Sequence, residues 1–162
     1  MWKVYLILIT SVLAGACSKT KSKDCNSVEK TYSFSENAKV DTSRNSQYFF
    51  ATVSSGSKLV FKYQEKINSC PDIADGGSSF LLIFEADPSV SSFTYATSDL
   101  QNANVYSSLI CGECPQLARN SSVPASGTIT GVRFSATSWQ VNFDVQTNFH
   151  GHRTGSAIFR KE

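Results

Sequence analysis

The chain has 162 residues, 15 basic against 13 acidic side chains and a formal net charge of +2, with both signs scattered along its length. Nucleic-acid-binding domains gather Lys and Arg on one face or in one run, so this balance argues against that class. Setting an N-terminal leader aside leaves about 146 residues, enough for one hydrophobic core and too few for two comfortable domains.

The leader comes first in chain order and carries the strongest pattern. Lys3 precedes an apolar run from Val4 to Leu13, and Ala14, Gly15, Ala16 and Cys17 follow. A charged start, an apolar stretch of about ten residues and a small-residue cleavage site make a signal peptide of Met1 to Ala16. A retained membrane helix needs roughly 20 apolar residues, more than this run supplies. Cleavage fits two proteases: Ala14-x-Ala16 suits ordinary signal peptidase and a secreted product, while a small residue before Cys17 suits the lipoprotein peptidase. Cysteine counting favours the second. Cys17, Cys25, Cys70, Cys111 and Cys114 form an odd set, which leaves one thiol unpaired in an oxidising compartment. With Cys17 consumed by a lipid, the remaining four can all pair.

The stretch Leu13-Ala-Gly-Ala-Cys17 resembles a bacterial lipobox. Its leucine sits one place further from the cysteine than usual, as in the looser lipoboxes of Bacteroidota. The resemblance implies a diacylglycerol and commonly a third acyl chain on Cys17, and more than one chain is what stable anchoring demands. Ser18 after the cysteine implies transfer to the outer membrane. Lys19, Lys21 and Lys23 stand where surface-exported members carry acidic residues, so the periplasmic and the surface face both remain open. Residues 17–27 are polar and lack periodicity, the character of a solvated tether between lipid and domain.

From Val28 onward the chain reads as short stretches of period-two character. Val28, Tyr32 and Phe34 alternate with Glu29, Thr31 and Ser33; Gln47 to Ser54 is aromatic and β-branched; Leu59, Phe61 and Tyr63 alternate with Lys62 and Gln64. Ser79 to Glu85 contains Phe-Leu-Leu-Ile-Phe without a polar break, which suits a central strand covered on both faces. Phe93 with Tyr95, Val105 to Ile110, Thr128 to Phe134, Trp139 to Gln146 and Arg153 to Arg160 complete the set. In the run from Trp139, the apolar Val141, Phe143 and Val145 point one way and Gln140, Asn142, Asp144 and Gln146 the other. Turn signals at Ser55-Gly56-Ser57, Pro71 to Gly77, Asp87-Pro88, Pro124 to Gly127 and Gly151 separate the runs. A brief turn around Ser98 to Asn102 is the best helix candidate. About eight strands in one domain over 28–162 predict an all-β fold, a single antiparallel β-sandwich.

The succession Phe61-x-Tyr63, Ile73-Ala-Asp75-Gly76, Phe84-Glu85, Asp87-Pro88, Phe93, Leu100, Tyr106, Cys111-x-x-Cys114, Gly127-x-Ile129-x-Gly131 and Trp139-x-Val141 resembles a group of small Bacteroidota lipoproteins. The resemblance covers most of the domain and implies no particular activity. Gly127 and Gly131 read as the start of a strand and a place for a bulge or close backbone approach beside the tryptophan.

Chemistry is sparse. Cys111-Gly-Glu-Cys114 has redox spacing, but Cys111 ends a strand-like run instead of heading a helix, so a structural bridge with Cys25 and Cys70 fits better. His150 and His152, two apart, could share a metal, with Cys111 and Cys114 completing four ligands. The long intervening chain and a compartment that favours disulfides argue for exposed turn histidines and no metal site. Asp72, Asp75 and Asp87 lack calcium-loop spacing and read as turn formers. Glu85 and Asp87 show nothing beyond a strand end, so a glycosidase pair has no footing. Gly-x-Ser-x-Gly and phosphate-cradling glycine loops are absent, and no cofactor is implied. Consecutive Tyr48, Phe49 and Phe50 read as core, or as a ring pair for a sugar or protein partner.

These observations together describe a non-enzymatic, lipid-anchored envelope module, held at the membrane through Cys17, that binds a protein or glycan partner. A structural envelope protein without a ligand is the alternative, and a thiol or metal protein using Cys111, Cys114, His150 and His152 is a third. Non-reducing peptide mapping is expected to recover Cys25, Cys70, Cys111 and Cys114 in two disulfides, in one of three pairings. A stable free thiolate at Cys111 would revive the redox reading.

Overall fold

In the computed structural model the described residues are 27–45, 48–68, 77–100, 102–110, 122–148 and 150–162. They are organised almost entirely as strand, in line with the all-β expectation. The first three strands form one long bent hairpin. β1 (Val28–Asn45) is answered by β2 (Tyr48–Ser55) and then β3 (Lys58–Asn68), which run in the same direction along it. Ser55-Gly56-Ser57, read as a turn between two runs, does separate β2 from β3 and marks a kink within one side of the hairpin. Opposite it, Asn37 adopts a left-handed φ of 52°, and Gly56 N donates to Asn37 O at 2.9 Å. A β-carbon on Gly56 would lie 2.7 Å from Ala38 O, so glycine is required by the close approach. The register slips between Ser35 and Ala38, and a bulge of this kind bends the strand and redirects its side chains.

The bend creates two apolar clusters. Before it, Phe34 joins the main core; after it, Ala38 and Val40 pack with Val60, Ile83 and Tyr106 on the other side of the sheet. β4 (Gly77–Ala86) lies between the clusters, giving Phe80, Leu82 and Phe84 to the first and Leu81 and Ile83 to the second. This is the doubly covered central strand that its unbroken apolar run predicts.

β5 (Ser92–Tyr95), β6 (Tyr106–Ile110), β7 (Ser126–Ser135), β8 (Ser138–Thr147) and β9 (Gly151–Lys161) complete the sheet. Its order is β5-β7-β8-β9-β1-β3-β4-β6, with β2 added to β1. The result is one curled sheet, a half-barrel, in place of the antiparallel sandwich expected, because the ring cluster is enclosed by the curl of a single sheet. Pairing is mixed: β1 runs parallel to β9, with Ser33 opposite Arg160 and Phe34 opposite Lys161. After β4 the chain crosses to β5 at the far edge and returns to β6 beside β4. Tyr95 Oη donates to Glu85 O (2.9 Å) and Glu85 N to Ala103 O (3.3 Å), stitching this crossing to the sheet. Leu100 and Val105, both fully buried, fill the gap beneath it. Around the best helix candidate, Ser98 to Asn102, the described residues form hydrogen-bonded turns in place of a helix, with Asp99 accepting from Ala96 N (3.0 Å) and Asp99 O from Ala103 N (2.8 Å).

Phe61 sits at the centre of the core with no exposed surface. It stacks on Phe84 (5.1 Å between centroids, 7° between planes) and on Phe34 (5.6 Å), and meets Phe93 (5.4 Å), Trp139 (5.5 Å) and Phe159 (5.9 Å) at steeper angles. Two glycines make room for such rings. A β-carbon on Gly131 would fall 2.3 Å from the Phe93 ring, and one on Gly155 2.3 Å from Phe143. Gly131 is thus the close approach beside the tryptophan, since Phe93 also touches Trp139 (5.6 Å). The bulge of β7 falls further on, between Arg133 and Ser135. Gly127, at φ 131°, starts the strand where a side chain would meet Asp144 O.

Phe61→Ala is expected to cost about 3–5 kcal/mol, measured by urea denaturation, because the cavity is ringed by five partners that cannot all collapse into it. Gly131→Val should also destabilise by driving into Phe93, whereas Val132→Ala, on the exposed face, should shift the midpoint little.

Candidate functional site

The two histidines part company. His150 precedes β9 in a turn, where its backbone N donates to Thr147 Oγ1 (2.9 Å) and its ring meets Phe80 of the core edge-on at 6.0 Å. His152 lies on the exposed side of β9 with Nε2 against Asp144 Oδ1. Between them Gly151 takes φ 69°, and this left-handed residue breaks the period-two geometry that would have aimed both rings the same way. The arrangement separates the imidazoles that a shared metal would require together. Burial, followed by the charge of Arg153, holds the His150 pKa below its ordinary value.

Around His150 lies a polar cluster that no local pattern in the sequence marks. Tyr63 Oη donates to Glu65 Oε2 at 2.6 Å, and Lys30 Nζ approaches the same oxygen at 3.5 Å. The Arg153 guanidinium stands 5.0 Å over the Phe80 ring, a cation–π contact. His150 Nε2 and Arg153 Nε are buried without hydrogen-bond partners. The hydrogen bond from Tyr63 is the main reason the Glu65 carboxyl ionises below its usual range, while burial and the same bond push the Tyr63 phenol up. Tyr63 and Glu65 are two apart on one strand, so their shared face was legible; the arrival of Arg153 from β9 was not.

At the opposite end of β4 an open cleft of about 440 Å³ is lined by Lys58, Glu85, Asp87, Tyr95, Asp99 and Asn102, among others. Its carboxylates are already engaged. Glu85 Oε1 accepts from Val40 N and Oε2 from Asn104 Nδ2 (2.8 Å), which fastens the folded-over hairpin to the sheet and to the crossing segment. Asp87 accepts from Ser89 N (2.9 Å) and Ser89 Oγ (2.6 Å) and faces Lys58 Nζ at 3.5 Å. The Ser89 bonds hold the Asp87 pKa below its ordinary value. Asp87 is therefore a turn former, and Glu85, read as a plain strand end, is a staple between three segments.

The outer face of β7, β8 and β9 has another character. Cross-strand register places Thr128, Asp144 and Thr154 in one row, Thr130, Asn142 and Ser156 in the next, and Val132, Gln140 and Ile158 in a third. Asn142 Nδ2 donates to Thr130 Oγ1 (3.4 Å), Ser156 Oγ to Asn142 Oδ1 (2.6 Å) and Gln140 Nε2 to Ser156 Oγ (3.1 Å). Val132 and Phe134, 55% and 77% exposed, lie at the end of this face next to the β7–β8 turn. The alternation of β8 identified its polar row; the alignment with Ser156 and Thr130 depends on pairing that no single strand discloses.

The remaining candidates, Cys17, Cys25, Cys70, Cys111, Cys114, Asp72 and Asp75, lie outside the described residues, as do the leader, the tether lysines and the side chains of Tyr48, Phe49 and Phe50. Among the described residues no group of three His, Cys, Asp or Glu is placed to hold a metal ion, and no helix is long and apolar enough to cross a membrane.

Because the folded pKa of Glu65 is lowered, its contribution to stability is complete above the ordinary value of 4.5 and is lost as pH falls through the lowered value. Tyr63→Phe is expected to raise the Glu65 pKa, read by carboxyl-carbon NMR titration, and to shift this acid loss of stability to higher pH. An unchanged titration would show that Lys30 and Arg153 alone hold the carboxylate.

No family model, curated protein or solved structure matches this chain.

Proposed function

We propose that this chain is a lipid-anchored cell-envelope module that binds a partner and carries out no catalysis. Cys17 holds it to the membrane of an exported compartment, most simply the bacterial outer membrane, and the β domain beyond the tether is the part that meets the partner. The observation that carries the non-catalytic half of this reading is the employment of its ionisable groups. Glu85 staples three segments, Asp87 caps a turn, Glu65 is held by Tyr63 and Lys30, and Glu162 accepts from Ser33 (2.6 Å) and Ser35 (3.2 Å) beside Lys62 (2.9 Å). General acid–base work needs a carboxylate or imidazole free to exchange a proton with a substrate within hydrogen-bond reach. Here these carboxylates hold strands in register. The anchoring half is supported by the lipobox-like Leu13-Ala-Gly-Ala-Cys17 and by the even set of four cysteines that lipidation of Cys17 leaves.

Metabolic labelling with an alkynyl fatty acid is expected to tag the native protein and leave Cys17→Ala untagged and released from membranes. Absence of label from both would overturn the anchoring.

A further inference from the structure

We propose that the open face of β7, β8 and β9 binds a neutral, hydroxyl-rich glycan, with Gln140 and Asn142 as the recognising amides and Phe134 as the surface on which a sugar ring rests. The inference rests on the partner-binding reading above and specifies the partner's chemistry. Its ground is a contrast within one sheet. Across β1 and β3 the outer face carries Glu29, Lys62 and Lys66, with Glu162 ion-paired to Lys62. Across the three aligned rows of β7, β8 and β9 the side chains are amides, hydroxyls and aliphatics. The one carboxylate, Asp144, is matched by His152 on the neighbouring strand. A solvated sheet face gains solubility from mixed charges, and this half of the face carries few of them: Asp144 beside His152 toward one end and Arg160, opposite Ser138, at the other.

The polar atoms there have capacity left. Asn142 uses one amide hydrogen on Thr130 and one oxygen lone pair on Ser156, and Gln140 uses one amide hydrogen on Ser156. Each amide keeps an N–H, and each oxygen can still accept. An amide that donates and accepts in one plane matches adjacent sugar hydroxyls, which do the same. The bonds already made fix the amides' orientation, so little rotamer freedom is lost on binding. Rows of this kind, about 4.8 Å apart across strands and about 6.7 Å apart along them, present a platform roughly 10 Å by 13 Å, the scale of two or three sugar rings. At its end Phe134 offers an exposed ring and Val132 an aliphatic edge for the C–H face of a sugar.

Charge decides against other ligands. An anionic polysaccharide or nucleic acid would need several Lys and Arg in the platform, whereas the three rows hold Asp144 and the one cation at their border is Arg160 beyond Ile158. A protein partner would call for a desolvated apolar centre with a polar rim, whereas here the centre is Asn142 and the apolar residues lie at one end.

The test uses the full chain purified in detergent from membranes, titrated calorimetrically with neutral oligosaccharides (β-glucan, mannan and chitin fragments) and with alginate and heparin, at low and high salt. Expected is binding to at least one neutral oligosaccharide, insensitive to salt, and weakened about tenfold by Asn142→Ala, by Gln140→Ala and by Phe134→Ala, in keeping with the loss of about 1.4 kcal/mol from one contact. Lys66→Ala, on the charged half, should leave it unchanged. Circular dichroism checks that each variant keeps its strand content. The proposal is overturned by a folded protein that binds none of the neutral sugars, by binding that the three variants leave intact, or by salt-sensitive binding confined to the anionic polymers. In each of those cases Cys17 labelling still decides the anchoring separately, and capture of a protein partner would redirect the ligand class without touching the anchor.

Discussion

The ring cluster around Phe61 is the constraint on which the rest of the structure depends. The backbone hydrogen bonds of the strand ladders run between neighbouring strands, so they fix the order of the sheet and leave its curvature open. Curvature is fixed by side chains that reach across the concave side. Phe61 on β3 touches Phe34 on β1, Phe84 on β4, Phe93 on β5, Trp139 on β8 and Phe159 on β9. Each aromatic pair adds about 0.5–1.5 kcal/mol beyond the area it buries, and these pairs share one ring, so they strengthen or fail together. The steep approach of Trp139 and the near-parallel stack of Phe84 satisfy different parts of the ring quadrupole. Gly131 and Gly155 belong to the same arrangement, since a side chain at either would occupy the space of Phe93 or Phe143.

A sheet curled but not closed keeps two edges, and edges invite pairing with other chains. Here the ends of the sheet path are β5 and β6, of four and five residues, the shortest strands among the described residues. The chain joins them directly through the segment containing Leu100, so the core is covered where the sheet leaves off. The other side is protected by the folded hairpin. Beyond Asn37, β1 and β2 carry Ala38, Val40 and Ala51 onto Val60, Ile83 and Tyr106, and Glu85 secures that flap through Val40 N and Asn104. A charge-assisted bond to a backbone amide is stronger than a neutral one, which suits a contact that must hold a bent hairpin down at its root.

The strands themselves were legible because period-two alternation is a local property. Trp139 to Gln146 shows its two faces without any partner in view, and Phe80 to Phe84 shows burial on both. What failed to show was direction. The even positions Phe34, Ala38 and Val40 keep one parity through β1, yet they enter different clusters, because a left-handed Asn37 and a tight Gly56 turn the hairpin between them. The histidine pair illustrates the same limit: alternation aims His150 and His152 together, and one left-handed Gly151 undoes it. Parallel pairing of β9 with β1 and the rows that bring Thr130, Asn142 and Ser156 into line join distant segments, so no window of sequence contains them. Glu85 was missed for the same reason, its partners being 45 and 19 residues away.

Strand directions also relate the proposed anchor to the proposed binding face. β1 begins at Val28 and β9, parallel to it, begins at Gly151, so both start at one end of the half-barrel. Ser138 pairs with Arg160 near the finish of β9, which places the β7–β8 turn and Phe134 toward the other end. The eleven residues from Cys17 to Ser27 span at most roughly 40 Å when fully extended. Anchoring through Cys17 would then hold the Val28 end within that distance of the lipid surface and direct the Phe134 end away from it. Val28, where the proposed tether would join the domain, and Phe134 thus lie toward opposite ends of the sheet, and a glycan chain approaching from the far side would meet the exposed ring before the amide rows.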